Sequence, residues 1–269
     1  MKKRTQILLT NDDGIQSPGL WAAAQALSHI GYVTVAAPRD QATATGRSLP
    51  FSSDGSITPN RMFIGDQEWT VYAVGGSPAQ VVLHSVLEIM DGYPHLVVSG
   101  INYGENVGHS ITISGTVGAA LEAASLGIPA LAVSLQVDDP KNWISHSPEI
   151  DFTVAAHFAS YFASLVLKHD LPADIDVLKI DIPNDATADT PWRTTHIARH
   201  RYYFPVAQRS GRLEDKGHIG VYRKIAPEEL DHRSDLYTLL YDRMVSVTPL
   251  SLDMTSRVEL DDLEKRLRE

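Results

Sequence analysis

Gln6-Ile7-Leu8-Leu9-Thr10-Asn11-Asp12-Asp13-Gly14 decides the fold of this chain: a short apolar run that ends in an amide, two adjacent carboxylates and a glycine. An uninterrupted apolar run this short fits a strand buried on both faces of an α/β sheet better than it fits a helix. Ligands of such sheets bind beyond the carboxyl ends of the strands, which is where Asn11, Asp12 and Asp13 fall. Two carboxylates ~4 Å apart in a partly buried turn repel by about 4 kcal/mol at an effective dielectric of 20, a large share of a typical folding free energy. A hard divalent cation such as Mg²⁺ or Mn²⁺, which prefers oxygen ligands, would offset that repulsion. Taken alone, an Asp-Asp pair is more often solvated or a helix cap; the hydrophobic run before this pair favours a site.

Downstream, Ser17 and Pro18 open a helix carried by Leu20, Ala23, Ala24, Leu27 and Ile30 and closed by Gly31, and Tyr32 to Pro38 is a β-branched strand. The first 38 residues therefore form a βαβ unit with a parallel strand pair. Residues 39–59, rich in Ser, Thr, Ala and Gly, read as a loop overhanging the edge that carries Asp12. A strand over residues 69–74 follows, then a helix capped by Ser77-Pro78 and bearing Val81, Val82, Val86 and Met90, then a strand over residues 95–99 that ends in Gly100-Ile101-Asn102-Tyr103-Gly104. Residues 114–126 read as an Ala-rich helix closed by Gly127, residues 129–135 as a strand, residues 151–169 as a helix and residues 175–182 as a strand. This alternation predicts a three-layer, Rossmann-like α/β core with a mostly parallel sheet over residues 1–184. Residues 185–269 are expected to be a C-terminal extension: residues 195–209 and 236–250 read as strands or arms, and residues 254–269 as a terminal amphipathic helix through Val258, Leu260, Leu263 and Leu267.

Composition narrows the function. The chain has 269 residues, 43 % of them hydrophobic, and can bury a large core. It contains no cysteine, which removes disulfides, thiolate metal sites and a cysteine nucleophile. A formal net charge of −10 argues against polymeric nucleic acid as a partner but leaves room for a small phosphorylated ligand. The basic start Met1-Lys2-Lys3-Arg4 is followed by too short an apolar run for a signal peptide or membrane span, so a cytoplasmic protein with no membrane partner is expected. No G-x-G-x-x-G and no P-loop follows the first strand, and the candidate nucleophile elbows around Ser48 and Ser110 lack their closing glycine. His196 and His200 are four apart in an alternating segment, where that spacing does not put both on one helical face. Better placed is Ser114-Gly115-Thr116 at a helix start, where free backbone N–H groups and the helix dipole can cradle a phosphate.

With those residues in place, the chain resembles the SurE family, the survival-protein-E nucleotidases, over nearly its full length. The resemblance rests on Ile7-Leu8-Leu9-Thr10-Asn11-Asp12-Asp13-Gly14-Ile15, Ala37-Pro38, Ser99-Gly100-Ile101-Asn102-Tyr103-Gly104-Glu105-Asn106, Ser114-Gly115-Thr116-Val117-Gly118-Ala119-Ala120, Pro183-Asn184 and Ser246-Val247-Thr248-Pro249-Leu250. It implies a metal-dependent 5′- or 3′-nucleotidase acting on nucleoside monophosphates, with Asp12, Asp13, Thr43 and Asn102 as metal ligands. It also implies a homo-oligomer, dimer or tetramer, built through C-terminal arms. Departures from the family pattern are Thr43-Ala44 in place of Ser-Gly, Ser77-Pro78-Ala79-Gln80 in place of Thr-Pro-Ala-Asp, and Ile113 in place of a tyrosine. The expected chemistry is a Mg²⁺- or Mn²⁺-dependent phosphomonoesterase with Asp12, Asp13 and Asn11 at the reacting centre. Asn102, Ser114, Gly115 and Thr116 would hold the substrate, and water would attack phosphorus directly. Two alternatives remain at this point: an aspartyl-phosphate phosphatase, and a nucleotide-binding sensor without turnover.

Overall fold

β1 (Gln6–Thr10) is buried on both faces, and its alternate residues meet different helices. Ile7 and Leu9 join the cluster under α1 (Pro18–Leu27), while Leu8 points into the cluster on the other face. A strand with two covered faces needs no polar alternation, which is why its sequence reads as a plain apolar run. The computed structural model describes residues 4–64, 66–139, 142, 147, 149–224 and 227–269; the basic start at Met1 to Lys3 lies outside them.

The remaining elements follow in chain order. β2 (Tyr32–Pro38), β3 (Ile57–Ile64) and β4 (Gln67–Val74) lead to α2 (Pro78–His84), which continues as a π-helical turn over Ser85–Ile89. β5 (Leu96–Tyr103), a 3₁₀ segment (Gly108–Ile113), α3 (Gly115–Ser125), β6 (Ala130–Leu135), α4 (Thr153–Val166) and β7 (Val177–Ile182) complete the alternation. Beyond it come β8 (Trp192–Thr194), β9 (Tyr203–Ala207), β10 (Ile219–Arg223), α5 (Asp235–Leu240), β11 (Val245–Leu250) and α6 (Leu260–Arg268).

The main sheet has nine strands in the order β3-β4-β2-β1-β5-β6-β7-β11-β8. Its centre is parallel; β3 on β4 and β11 on β7 are antiparallel. The α1 and α4 helices cover one face, α2 and α3 the other, so the three-layer expectation holds. β8 and β11, both beyond residue 184, extend this same sheet, while β9 and β10 form a separate hairpin. No helix among the described residues is long and apolar enough to cross a membrane.

The structure corrects several boundaries. Residues 57–59 belong to β3, not to the overhanging loop, because they pair with Tyr72 to Val74 of β4. β5 runs on through Asn102 to Tyr103, with a register shift against β6 between Ser99 and Asn102, so this polar group ends the strand instead of following it. Residues 235–240 form a helix, not an arm: the Ser234 hydroxyl caps Tyr237 N–H, and Leu236 and Leu239 share a buried face. The terminal helix starts only at Leu260. Ser17 stands at the N-cap of α1, but its hydroxyl makes no capping bond.

Lys179, Asp181 and Asp235 form a fully buried ionic cluster. Lys179 on β7 pairs with Asp181, two residues along on the same strand face, and with Asp235 of α5 at 3.3 Å. Asp181 also accepts from the Asn106 N–H at 2.7 Å, and Asp235 from the N–H groups of Gly108 at 3.0 Å and Ala198 at 2.9 Å. One cation against two anions leaves the cluster net negative, and burial pushes the Asp181 carboxyl up to about 6 despite its lysine neighbour. Lys179→Met would leave two buried carboxylates facing each other. We expect it to cost roughly 3–5 kcal/mol in urea unfolding at pH 7, and less at pH 5, where a raised carboxyl takes up a proton.

Candidate functional site

The strand order reverses at β1, which lies between β2 and β5, and at such a switch point the loops beyond the two strands part to leave a crevice. Asp12 and Asp13 leave the end of β1 into that crevice, and Asn102 reaches it from the end of β5. Asn11 braces the turn: its side-chain amide donates to Gly14 O and its carbonyl accepts from Gly14 N–H, both at 3.1 Å. Gly14 itself has φ +96°, a conformation that favours glycine.

Both carboxylates are almost wholly buried, Asp12 at 3 % and Asp13 at 2 % exposure. Asp12 accepts from the Thr116 hydroxyl at 2.6 Å. Asp13 accepts from the Tyr103 backbone N–H and from the Gln41 side-chain amide, each at 3.2 Å. α3 butts its first turn against Asp12, where a Cβ on Gly115 would lie 2.7 Å from the Asp12 Cβ. Glycine is therefore required for this approach, and it brings the N–H groups of the α3 N-terminus to the acid pair. Ser114 caps that helix by accepting from Val117 N–H at 3.1 Å.

The overhanging loop is tied down at both ends. Ala42 N–H donates to Asp12 O at 2.7 Å and Gly46 N–H to Ile113 O at 3.0 Å, so Thr43, exposed to solvent, stands one residue from the acid pair's backbone. Ala44 adopts φ +60°. The loop thus keeps a left-handed bend with alanine where the family pattern has glycine, at a cost of roughly 1–2 kcal/mol. Further along, Ser77 Oγ holds Ser48 O at 2.6 Å, and Gln80 both completes the capping box of α2 and donates to Pro50 O at 2.9 Å. A carboxylate at position 80 could not make that last bond.

The structure thus brings together Asn11, Asp12, Asp13, Asn102, Ser114, Gly115 and Thr116, with Thr43 on the loop beside them. Asn102 spends its amide N–H₂ on the carbonyls of Tyr103 and Gly104, which leaves its Oδ1 without a hydrogen-bond partner among the described residues. Sequence reading missed Gln41 and the Tyr103 N–H: a loop glutamine carries no spacing signal, and a backbone donor carries none by nature. No cluster of three or more His, Cys, Asp or Glu side chains suited to a metal occurs among the described residues. What the site offers instead is two carboxylates, an amide oxygen and a hydroxyl, all hard oxygen donors of the kind Mg²⁺ and Mn²⁺ accept. A cavity of about 1070 Å³ opens at the opposite edge of the sheet beside Tyr32, Trp69 and Tyr93. β2 and β4 pair only from Ala36 and Tyr72 onward and part there; the acid pair is not among its lining residues.

A family profile described as "Survival protein SurE" matches residues 7–203. The chain belongs to the SurE family. It is 40 % identical over 264 residues to the 5′-nucleotidase SurE of Thermococcus gammatolerans, covering 97 % of this chain and 96 % of that one. It is 38 % identical over 270 residues to the 5′-nucleotidase SurE of Methanosarcina acetivorans, covering 97 % of each. The crystal structure of the SurE protein from Aquifex aeolicus superposes with a TM-score of 0.74 at 30 % identity, over 98 % of this chain and 100 % of that one.

Electrostatically, the acid pair is strained without a counter-charge. Burial pushes the Asp12 carboxyl up to about 6, and its hydrogen bonds from Thr116 and Gly115 only partly offset this. Burial also raises Asp13 well above the usual carboxylate range, with the Asp12 charge adding to the shift. A folded-state pKa above the unfolded value means that ionisation opposes folding above about pH 6 and is relieved as pH falls toward the unfolded value of about 4. In chelator, lowering the pH from 7 to 5 should therefore stabilise the wild type relative to Asp12→Asn, read as a narrowing gap between their melting temperatures. A gap independent of pH would show that the pair is not strained.

Proposed function

We propose that this chain is a nucleotidase, a phosphoric monoester hydrolase that uses a divalent cation, Mg²⁺ or Mn²⁺, to release phosphate from nucleoside 5′- or 3′-monophosphates. The observation that carries the reading is the Asp12–Asp13 pair, buried against the N-terminus of α3. The named relatives, 5′-nucleotidases matched along nearly their whole length, support the same substrate class.

Asp12, Asp13, Asn102 and Thr43 are the residues that would hold the cation, which when bound supplies Lewis-acid activation and charge neutralisation at the phosphoryl group. The Thr116 hydroxyl and Gln41 amide orient the two carboxylates. The dipole of α3 favours phosphate oxygens beside its N-terminus, where the first-turn N–H groups are engaged by Asp12 and the Ser114 hydroxyl. Asn11, with both its polar groups on Gly14, sets the turn that aims the acid pair. Neither candidate nucleophile elbow has its closing glycine, and Asn11, not Asp, directly follows the strand, which favours direct attack by water.

Excess chelator should abolish phosphate release, and Mg²⁺ or Mn²⁺ should restore it while raising the melting temperature by mass action. Asp12→Asn and Asp13→Asn should each lower turnover at least roughly a hundredfold with the fold intact. Thr43→Ser should keep activity, whereas Thr43→Val should weaken metal dependence. Near-normal, chelator-insensitive turnover in the Asp variants would overturn the metal reading.

Within the same reading, the β9–β10 hairpin and α6 serve assembly, and the chain is a homodimer or larger. The β9–β10 hairpin exposes Val206, Ile219, Val221 and Tyr222, and α6 exposes Leu260, Leu263 and Leu267. A nine-residue helix with no buried side chain is marginal alone and needs a surface to cover it. Sedimentation at micromolar concentration should give at least a dimer; a fully active monomer would refute this.

A further inference from the structure

Ile113 is 57 % exposed although it stands two residues before Gly115, the glycine that packs on Asp12. Consecutive Cα atoms are about 3.8 Å apart, so the two Cα atoms are within about 7.6 Å of each other. The Ile113 backbone is pinned on both sides: its carbonyl accepts from Gly46 N–H at 3.0 Å, and the next residue, Ser114, caps α3. Its backbone therefore has a set place beside the acid pair. The residues bonded to or flanking that pair are mostly polar or buried: Asn11, Gln41, Asn102 and Ser114 are polar, Ile15 and Tyr103 are buried, and Ala42 is half-buried. Leu49, 46 % exposed, follows three residues after Gly46 on the same loop.

A single exposed isoleucine is ordinary on a protein surface. Here it stands directly before the helix N-terminus suited to a phosphate, and a nucleotide fixed there by its phosphate must lay its base on something nearby. We infer that Ile113 is a specificity-determining residue: its side chain is the apolar wall of a nucleobase subsite. This rests on the nucleoside monophosphate reading above and extends it. An aliphatic wall offers dispersion and water exclusion but no donor or acceptor. It selects for the presence of a base over its identity, so purine and pyrimidine nucleotides are both accepted while a sugar phosphate without a base is held weakly.

The test compares adenosine and uridine 5′-monophosphate with ribose 5-phosphate. In Ile113→Ser, KM for both nucleotides should rise roughly tenfold, the scale of a lost apolar contact in a pocket. kcat should be nearly unchanged, because the contact is equal in ground and transition states. KM for ribose 5-phosphate and the melting temperature should not move, and Ile113→Leu should restore nucleotide KM to within about twofold of wild type. A parallel rise for all three esters, no change for any, or a change only in sedimentation would overturn the subsite while leaving the nucleotidase reading intact. A wild type that releases phosphate from neither nucleotide would overturn both.

Discussion

The structure is organised around the burial of two adjacent carboxylates at the end of its central strand. Asp12 and Asp13 stand where β1 leaves the sheet, and they accept hydrogen bonds from the Thr116 hydroxyl, the Gln41 amide and the Tyr103 N–H. These bonds do not cancel the cost of burial, since both carboxyls are pushed upward, Asp12 to about 6. A protein that only had to be stable would replace such a pair with apolar side chains. Stored strain of this kind in a crevice is a mark of function, and it is a strain that a divalent cation would relieve.

The elements around the pair are placed so that three strand ends and one helix start converge. β1 supplies the acids, β5 supplies Asn102 and the Tyr103 N–H, the loop after β2 supplies Gln41 and Thr43, and α3 supplies its N-terminus. Each close approach has a local cause. Gly115 lacks the Cβ that would strike Asp12, Gly14 takes a positive φ, and Ala44 takes one too, against its own preference. The overhanging loop is further secured to α2 through Ser77 and Gln80, so the departure from the family pattern at position 80 changes which bonds hold the loop without removing its anchor.

A second polar layer, the Lys179–Asp181–Asp235 cluster, joins the core strands to the C-terminal region. It grips the N–H groups of Asn106 and Gly108, in the segment that follows Asn102, and of Ala198 in the segment before β9. The chain beyond residue 184 is thereby bonded to the loop that follows β5, besides adding β8 and β11 to the sheet. Such a network costs desolvation and returns position, which here means a fixed path for the loop from Asn102 to Gly108.

The sequence by itself determined the α/β core, because strands covered on both faces show as short apolar runs and helices as apolar residues at period 3.6, both set by local spacing alone. Ile7 to Leu9 read as a doubly covered strand, and Ser77-Pro78 and Ser114-Gly115 read as helix starts, as the structure has them. Asp12 and Asp13 were legible as a candidate site because two adjacent carboxylates after an apolar strand conflict with simple burial. Tertiary structure alone decided the rest. The helix at Asp235–Leu240 is only six residues long, too short for periodicity, and is held by its cap and its buried carboxylate. The continuation of β5 to Tyr103 depends on pairing with β6, and β3 exists because β4 lies beside it. The partners of Asp13, a loop glutamine and a backbone N–H 90 residues away, carry no pattern in one dimension. Contacts between residues distant in the chain leave a sequence signal only where they demand an unusual residue, as Gly115 is demanded by Asp12.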